Sequence, residues 1–399
     1  MDQDEAPRFP FASPTALEPP AEWAELRQKC PVAHVTLPSG DTAMLVTRYE
    51  DVRRVLSDPR FPRPTRQGAR TATTGGVFKT EMARALPQDG EEHRHWRRMI
   101  TKWFTVKRMA ILRPRIEAMA DRLIDDMVRH GAPADLKASL GFPLPVWVIC
   151  DMLGVPDTDR DRFSYWSDSL LNLTRYSQEE IDRAQAEFIA YMRGHVAAKR
   201  AEPADDLLSD LITTSDADGG TLSDDVLAFT GQGLLLAGHE TTANMIGKMM
   251  GLLLSDRSRW AALLADPSLV RSTVEESLRF DPNAGTGMPR YLTEDVEIAG
   301  QRLPSGTTVV CSMAAANRDE AVFPGADTMD LARSPNTHLA FGAGPHACIG
   351  QSLARTELQV VLEVLLRRLP GLELAVAPGE LRRIEGLTVG GLREVPVRW

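Results

Sequence analysis

Residues 229–254 read FTGQGLLLAGHETTANMIGKMMGLLL. The run is apolar on most sides rather than along one stripe, which predicts a helix buried all round. With its flanks the pattern covers about residues 223–254, on the order of 40 Å or more of helix. A helix of this kind needs other elements packed on every side. It therefore commits the chain to one large, mainly helical core, and 399 residues are enough to build one. The run is broken by His239, Glu240, Thr241 and Thr242, and no apolar stretch approaches the roughly 18–20 residues of a membrane span.

The rest of the chain fits a helical core with a small β region. A helical pattern covers about residues 92–130, with Pro114 as the expected break. Shorter helices are predicted over 205–215 and 269–280, and a strong one over 351–369, closed by Pro370 and Gly371. Strands are predicted at 43–48 and around the turns of 296–312, where Gly300 and Gly306 punctuate. The closing stretch LTVGGLREVPVRW reads as a hairpin-like end, and PRPTRQGARTATTGG (62–76) as a long loop of functional length. No internal repeat or linker divides the chain, so a single domain over 1–399 is expected.

Charge and cysteines narrow the function. The net charge of −9 speaks against nucleic acid as a partner. The acidic start MDQDEAPRFPFASP is no signal peptide, so a cytoplasmic protein is expected. Cys30, Cys150, Cys311 and Cys348 form no CxxC pair, which excludes a zinc knot or a redox dithiol. The first three read as small buried hydrophobes.

Cys348 differs. It lies in FGAGPHACIGQSLAR (341–355), where Gly342 and Gly344 permit an irregular backbone close to a flat ligand. Gly350 opens a helix, and a cysteine before a helix N-terminus is expected to favour its thiolate. Such a thiolate suits the axial position of haem iron, where the porphyrin supplies four ligands. A cysteine hydrolase with His346 as base is the other reading, although His346 stands only two residues away.

The pattern Phe341-x-x-Gly344-x-x-x-Cys348-x-Gly350 resembles the haem-binding signature of the cytochrome P-450 family. The resemblance implies a triangular prism of helices, with haem b between the long central helix and the cysteine loop. It makes Cys348 the iron ligand, packs Phe341 near the sulfur beside Gly342, and sets His346 against a haem propionate. Ala237-Gly238-His239-Glu240-Thr241-Thr242 is similar to the family's oxygen-activating segment. Taken alone, Glu240 could reach solvent and Thr241 could bond back to the carbonyl four residues earlier. In the family's setting they are the acid–alcohol pair that carries protons to dioxygen in a dry pocket, with Gly238 leaving room for it.

Supporting stretches follow in family order. Glu276 and Arg279 in VEESLRF resemble the Glu-x-x-Arg lock behind the haem, with Arg333 or Arg318 as the third partner. His93 and Arg97 share a helical face. With Arg290 and His346 they match the propionate contacts, which need charge-assisted donors. Arg94, Arg97, Arg98, Lys102, Lys107 and Arg108 form a basic segment able to steer an acidic electron donor. Candidate substrate liners are Leu86, Leu170, Leu173, Leu235, Ala237, Thr286, Met288 and Leu387, mostly apolar and suited to a hydrophobic small molecule.

The resemblance, strongest to actinobacterial members that tailor polyketides and macrolides, implies a monomeric monooxygenase. It would use dioxygen and NAD(P)H electrons delivered by a ferredoxin reductase and a ferredoxin. Two other readings of the same haem site are coupling or isomerisation chemistry and a sensor or recruitment module without turnover.

Overall fold

In the computed structural model the central helix forms over Asp224–Leu254, started by Ser223, whose hydroxyl accepts from the Val226 N–H at 3.3 Å. The structure describes residues 6–38, 40–63, 86–171, 176–220, 222–283, 287–384 and 389–399. Leu173, Thr286, Leu387 and most of the 62–76 loop lie outside these residues. The central helix is buried on nearly every side. It packs against helices Pro143–Met152, Gln178–Ala201, Val270–Phe280 and Gln351–Arg368. The expectation of a mainly helical fold is met.

One predicted boundary moves. The pattern of 92–130 divides at Trp103–Thr105 rather than at Pro114. Helix Gly90–Thr101 ends in a single 3-10 turn, and Val106–His130 starts behind the Thr105 cap. Pro114 sits inside that second helix on its exposed side, where water can serve the carbonyl left without an N–H partner.

A four-stranded sheet runs in the order β1 (Val32–Thr36), β2 (Thr42–Val46), β7 (Thr308–Cys311), β4 (Met288–Tyr291). β2 and β7 are parallel, with Met44 opposite Val309, and the other pairs are antiparallel. β5 (Val296–Ile298) and β6 (Gln301–Leu303) form a hairpin. Its turn residues Ala299 and Gly300 both have positive φ, at 49° and 77°, as a two-residue turn of this hand requires.

The chain end differs from a self-contained hairpin. β9 (Pro396–Arg398) lies between β3 (Ala134–Asp135) and β8 (Glu373–Leu374), and Leu392 pairs with Arg383. The closing strand thus finds its partners far back in the chain, which its own local pattern does not encode.

Candidate active site

The cysteine loop is built as its glycines require. Gly342 and Gly344 have φ of 70° and 72°. The Gly342 N–H donates to the Leu339 carbonyl, and the Cys348 N–H to the Phe341 carbonyl, both at 2.8 Å. At Gly344 an added Cβ would lie 2.6 Å from Ser57 Cα and 2.8 Å from the Leu56 carbonyl oxygen. The loop is therefore seated directly on the end of helix Tyr49–Ser57. Gly350 is the residue before helix Gln351–Arg368, and its N–H points at the Cys348 sulfur. Phe341 packs under the Arg355 guanidinium, 4.5 Å from ring centroid to carbon. Arg355 in turn makes a two-point bond to Glu275, at 2.7 and 3.0 Å, and His338 reaches the same carboxylate at 3.0 Å.

Cys348 is exposed, yet burial pushes its thiol up against the Gly350 N–H, Arg97 and Arg355. The thiolate expected from the helix N-terminus is thus not favoured by the protein alone. Desolvation outweighs the helix end and the two guanidinium groups.

The second accessible stretch lies in the middle of the central helix. Ala237 is exposed and Gly238 and Thr241 are half-buried, between turns that are otherwise closed. The Thr241 hydroxyl donates to the Ala237 carbonyl at 2.7 Å. A Cβ at Gly238 would make ordinary contact with Ile149 of helix Pro143–Met152, at 3.5 Å.

Glu240 does not reach solvent; it is buried. Its Oε1 accepts from Asn244 Nδ2 at 2.8 Å, and Oε2 lies 3.6 Å from His239 Nε2. Lys137, bonded to Asn244 Oδ1 at 2.7 Å, opposes the effect of burial, but the carboxyl is still pushed up. His239, fully buried with Nδ1 3.1 Å from Ser167 Oγ, is pushed down to about 4 and stays neutral.

At the other edge, cations gather. The His93 and His346 rings are 4.5 Å apart. Arg97 donates to the Ala347 carbonyl, and the buried Arg290 donates to Pro289 O at 2.9 Å. Arg63 joins them, which the sequence reading missed. Burial, then Arg290 and Arg97, push it down to about 10. Burial and Arg63 push His346 down to about 4, against its 3.1 Å contact with Asp89, and His93 is lowered in the same way. Asp89 is the carboxylate that opposes this crowding among the described residues.

The predicted lock forms. Glu276 and Arg279 are wholly buried and bonded twice at 2.8 Å. The third partner is Arg333, whose Nε reaches both Glu276 oxygens at 3.1 and 3.2 Å. Asp330 N–H and Asn336 Nδ2 complete the carboxylate's shell. Arg318 serves the Phe280 carbonyl and Asp327 instead.

Of the substrate liners, Ala237 is accessible, and Leu86 and Met288 are half-buried. Leu170 and Leu235 are packed in the core at 2% and 0% exposure, so they are withdrawn from the lining set. Glu357, fully buried on the cysteine helix and pushed up by burial to about 8, is a further titratable group that the sequence did not single out.

These residues fit a haem. Five cationic or cation-capable side chains around one carboxylate leave positive charge for two propionates. His346 Nδ1 is buried without a partner among the described residues. No group of three or more His, Cys, Asp or Glu could hold a bare metal ion among the described residues, whereas one accessible sulfur suffices for iron already held by a macrocycle.

Fold and site together define a haem-thiolate protein. The Cytochrome P450 family model matches residues 18–372. Over 405 residues the chain is 43% identical to a mycinamicin IV hydroxylase/epoxidase of Micromonospora griseorubida, with 100% of both chains covered. It is 38% identical to the cytochrome P450 monooxygenase PikC of Streptomyces venezuelae, covering 96% of this chain and 92% of that one. A solved structure of the mixed-function P450 MycG superposes with a TM-score of 0.91 at 43% identity, over 99% of this chain and 100% of that one. The chain belongs to the cytochrome P450 family. It is a haem monooxygenase, using dioxygen and reducing equivalents from partner proteins. Among the described residues no helix is long and apolar enough to cross a membrane.

Proposed function

We propose that the chain inserts one oxygen atom of dioxygen into a C–H or C=C bond of a hydrophobic secondary metabolite, of the polyketide or macrolide kind, with a ferredoxin as electron donor. The observation that carries this is the accessible Ala237–Thr241 turn in an otherwise closed helix, backed by a buried acid at Glu240. The hydroxylase/epoxidase and PikC relatives support the substrate class.

In this reading Cys348 holds the iron, and Arg63, His93, Arg97, Arg290 and His346 hold the propionates. The haem, when bound, supplies the activation of dioxygen. Glu276, Arg279 and Arg333 fix the backbone behind the cysteine loop. The Thr241 hydroxyl donates a hydrogen bond to the Ala237 carbonyl, so its lone pairs remain to accept. Glu240, whose pKa burial raises, favours the protonated form; Asn244 occupies Oε1, leaving Oε2 to carry the proton. A turn of this carboxyl toward Thr241 would hand its proton to the hydroxyl as the hydroxyl leaves the Ala237 carbonyl and gives its own proton to a water in the accessible turn, leaving Glu240 as the carboxylate.

The test has two stages. Reduced protein under carbon monoxide should show the red-shifted Soret band of a thiolate ligand. A screen of hydrophobic natural products for Soret shifts, followed by turnover with isotopic dioxygen, should then yield labelled product. Ligands that shift the band but never acquire label would reject the monooxygenase substrate class proposed.

A further inference from the structure

The segment after helix Val270–Phe280 is fastened to the central helix at two points seven residues apart. Lys248, 1% exposed, donates to the carbonyls of Asp281 and Pro282, both at 3.1 Å, and to Asp281 Oδ1 at 2.9 Å. Two turns earlier on the same helix, Asn283 Nδ2 donates to the backbone carbonyl of Thr241. Positions seven apart lie on one helix face, so Lys248 and the Thr241 carbonyl grip adjoining residues of one short strap. The strap is held from behind as well. The Gly390 N–H donates to the Asn283 carbonyl at 3.0 Å, and Arg383 reaches Asp281 Oδ2 at 3.5 Å.

The bond at Thr241 is unusual in kind. A carbonyl inside a continuous helix already accepts from the amide four residues on. A second donor from outside draws the oxygen away from the axis and tilts its peptide plane. The orientation of the Asn283 amide follows from chemistry, because a carbonyl oxygen only accepts and so must face the NH2 group. Thr241 is thus held at both ends of one residue. Its hydroxyl bonds back to Ala237 O, and its carbonyl is pulled toward Asn283.

We propose that Asn283 is a positioning residue for the Thr241 hydroxyl, acting through the Thr241 carbonyl, with Lys248 anchoring the strap that carries it. Loss of the Asn283 donor lets the Thr241 peptide relax into the helix and turns the hydroxyl from the accessible face. The proposal rests on the role given to Thr241 above. It adds a residue that acts through Thr241 on how well protons are delivered.

The test uses the holoenzyme with carbon monoxide as the probe ligand, and compares the native protein with Asn283→Asp, Thr241→Val and the double variant. Asn283→Asp keeps the shape and, at a pH where the carboxyl is ionised, removes the donor. The C–O stretching band reports polar groups beside the bound gas and needs no substrate. The band should shift or broaden in Asn283→Asp, shift in Thr241→Val, and move no further in the double variant. Peroxide released per NADPH oxidised, with a plant-type ferredoxin and its reductase, should rise about fivefold in Asn283→Asp, the factor that one hydrogen bond is worth. Asn283→Ser, which restores a donor, should recover part of both. An unmoved band in Asn283→Asp beside a shifted one in Thr241→Val overturns this proposal alone. The same holds for an Asn283→Asp shift that persists in full without the Thr241 hydroxyl. A band unmoved by Thr241→Val overturns the role of Thr241 itself, and this proposal with it.

Discussion

At the scale of single residues, Cys348 and Thr241 carry the proposed chemistry, and two buried carboxyls, Glu357 and Glu275, carry a pH dependence. Cys348 is exposed, and desolvation of its sulfur raises the thiol pKa against the Gly350 N–H, Arg97 and Arg355. Cys348→Ala should abolish the red-shifted carbon monoxide band; a variant that keeps it would overturn the assignment. Thr241→Ala should leave ligand-induced Soret shifts within about twofold and divert most electrons to peroxide, as measured by peroxide per NADPH. Glu357 gives a pH dependence with a definite sign. Its folded-state value of about 8 lies above the ordinary 4.5, so the folded protein binds the extra proton between those limits. Stability should therefore fall as pH rises from about 4.5 to 8 and then level. Glu357→Gln should flatten that slope in urea denaturation followed across pH. Glu275 has the opposite sign. Burial alone would raise it, but His338 and Arg355 bring it to about 2, so its contribution is complete above about 4.5 and lost as pH falls toward 2.

At the scale of elements, the decisive features are those that fix one piece of backbone on another. The Glu276–Arg279–Arg333 cluster is fully desolvated around its carboxylate, and Glu276→Gln leaves two guanidinium groups without their counter-charge. A loss of about 3–5 kcal/mol is expected, read by chemical denaturation of the holoenzyme. The elements legible in the sequence were those whose signal is contiguous. The cysteine loop needs its glycines within ten residues of the sulfur, and the lock pair stands three residues apart on one helix. The helix break at Thr105 was misplaced because a proline signals a lost donor but not whether water can replace it. Arg333 was one of two possibilities, since a loop's return onto Glu276 across more than fifty residues leaves no periodic trace. Arg63 and Asn283 were invisible for the same reason: their meaning lies in partners far along the chain.

At the scale of the whole molecule, a net charge of −9 coexists with an exposed basic edge. Arg94 and Arg98 are answered by Glu91, while Lys102 and Lys107 are exposed with no carboxylate partner among the described residues. The double variant Lys102→Glu, Lys107→Glu should raise the KM for a plant-type ferredoxin several-fold at low salt and weaken its salt dependence. The carbon monoxide band should stay unchanged. The pairing of Ala134–Asp135 with Pro396–Arg398 has a consequence for how the protein is made. A ribosome adding roughly 5–20 residues per second needs on the order of tens of seconds between the two strands. Until Pro396–Arg398 is made, the early strand has no strand partner among the described residues, and the cysteine loop is made only about fifty residues sooner. Removing Pro396–Arg398 should therefore leave Ala134–Asp135 unpaired and lower haem loading, read as Soret absorbance per protein.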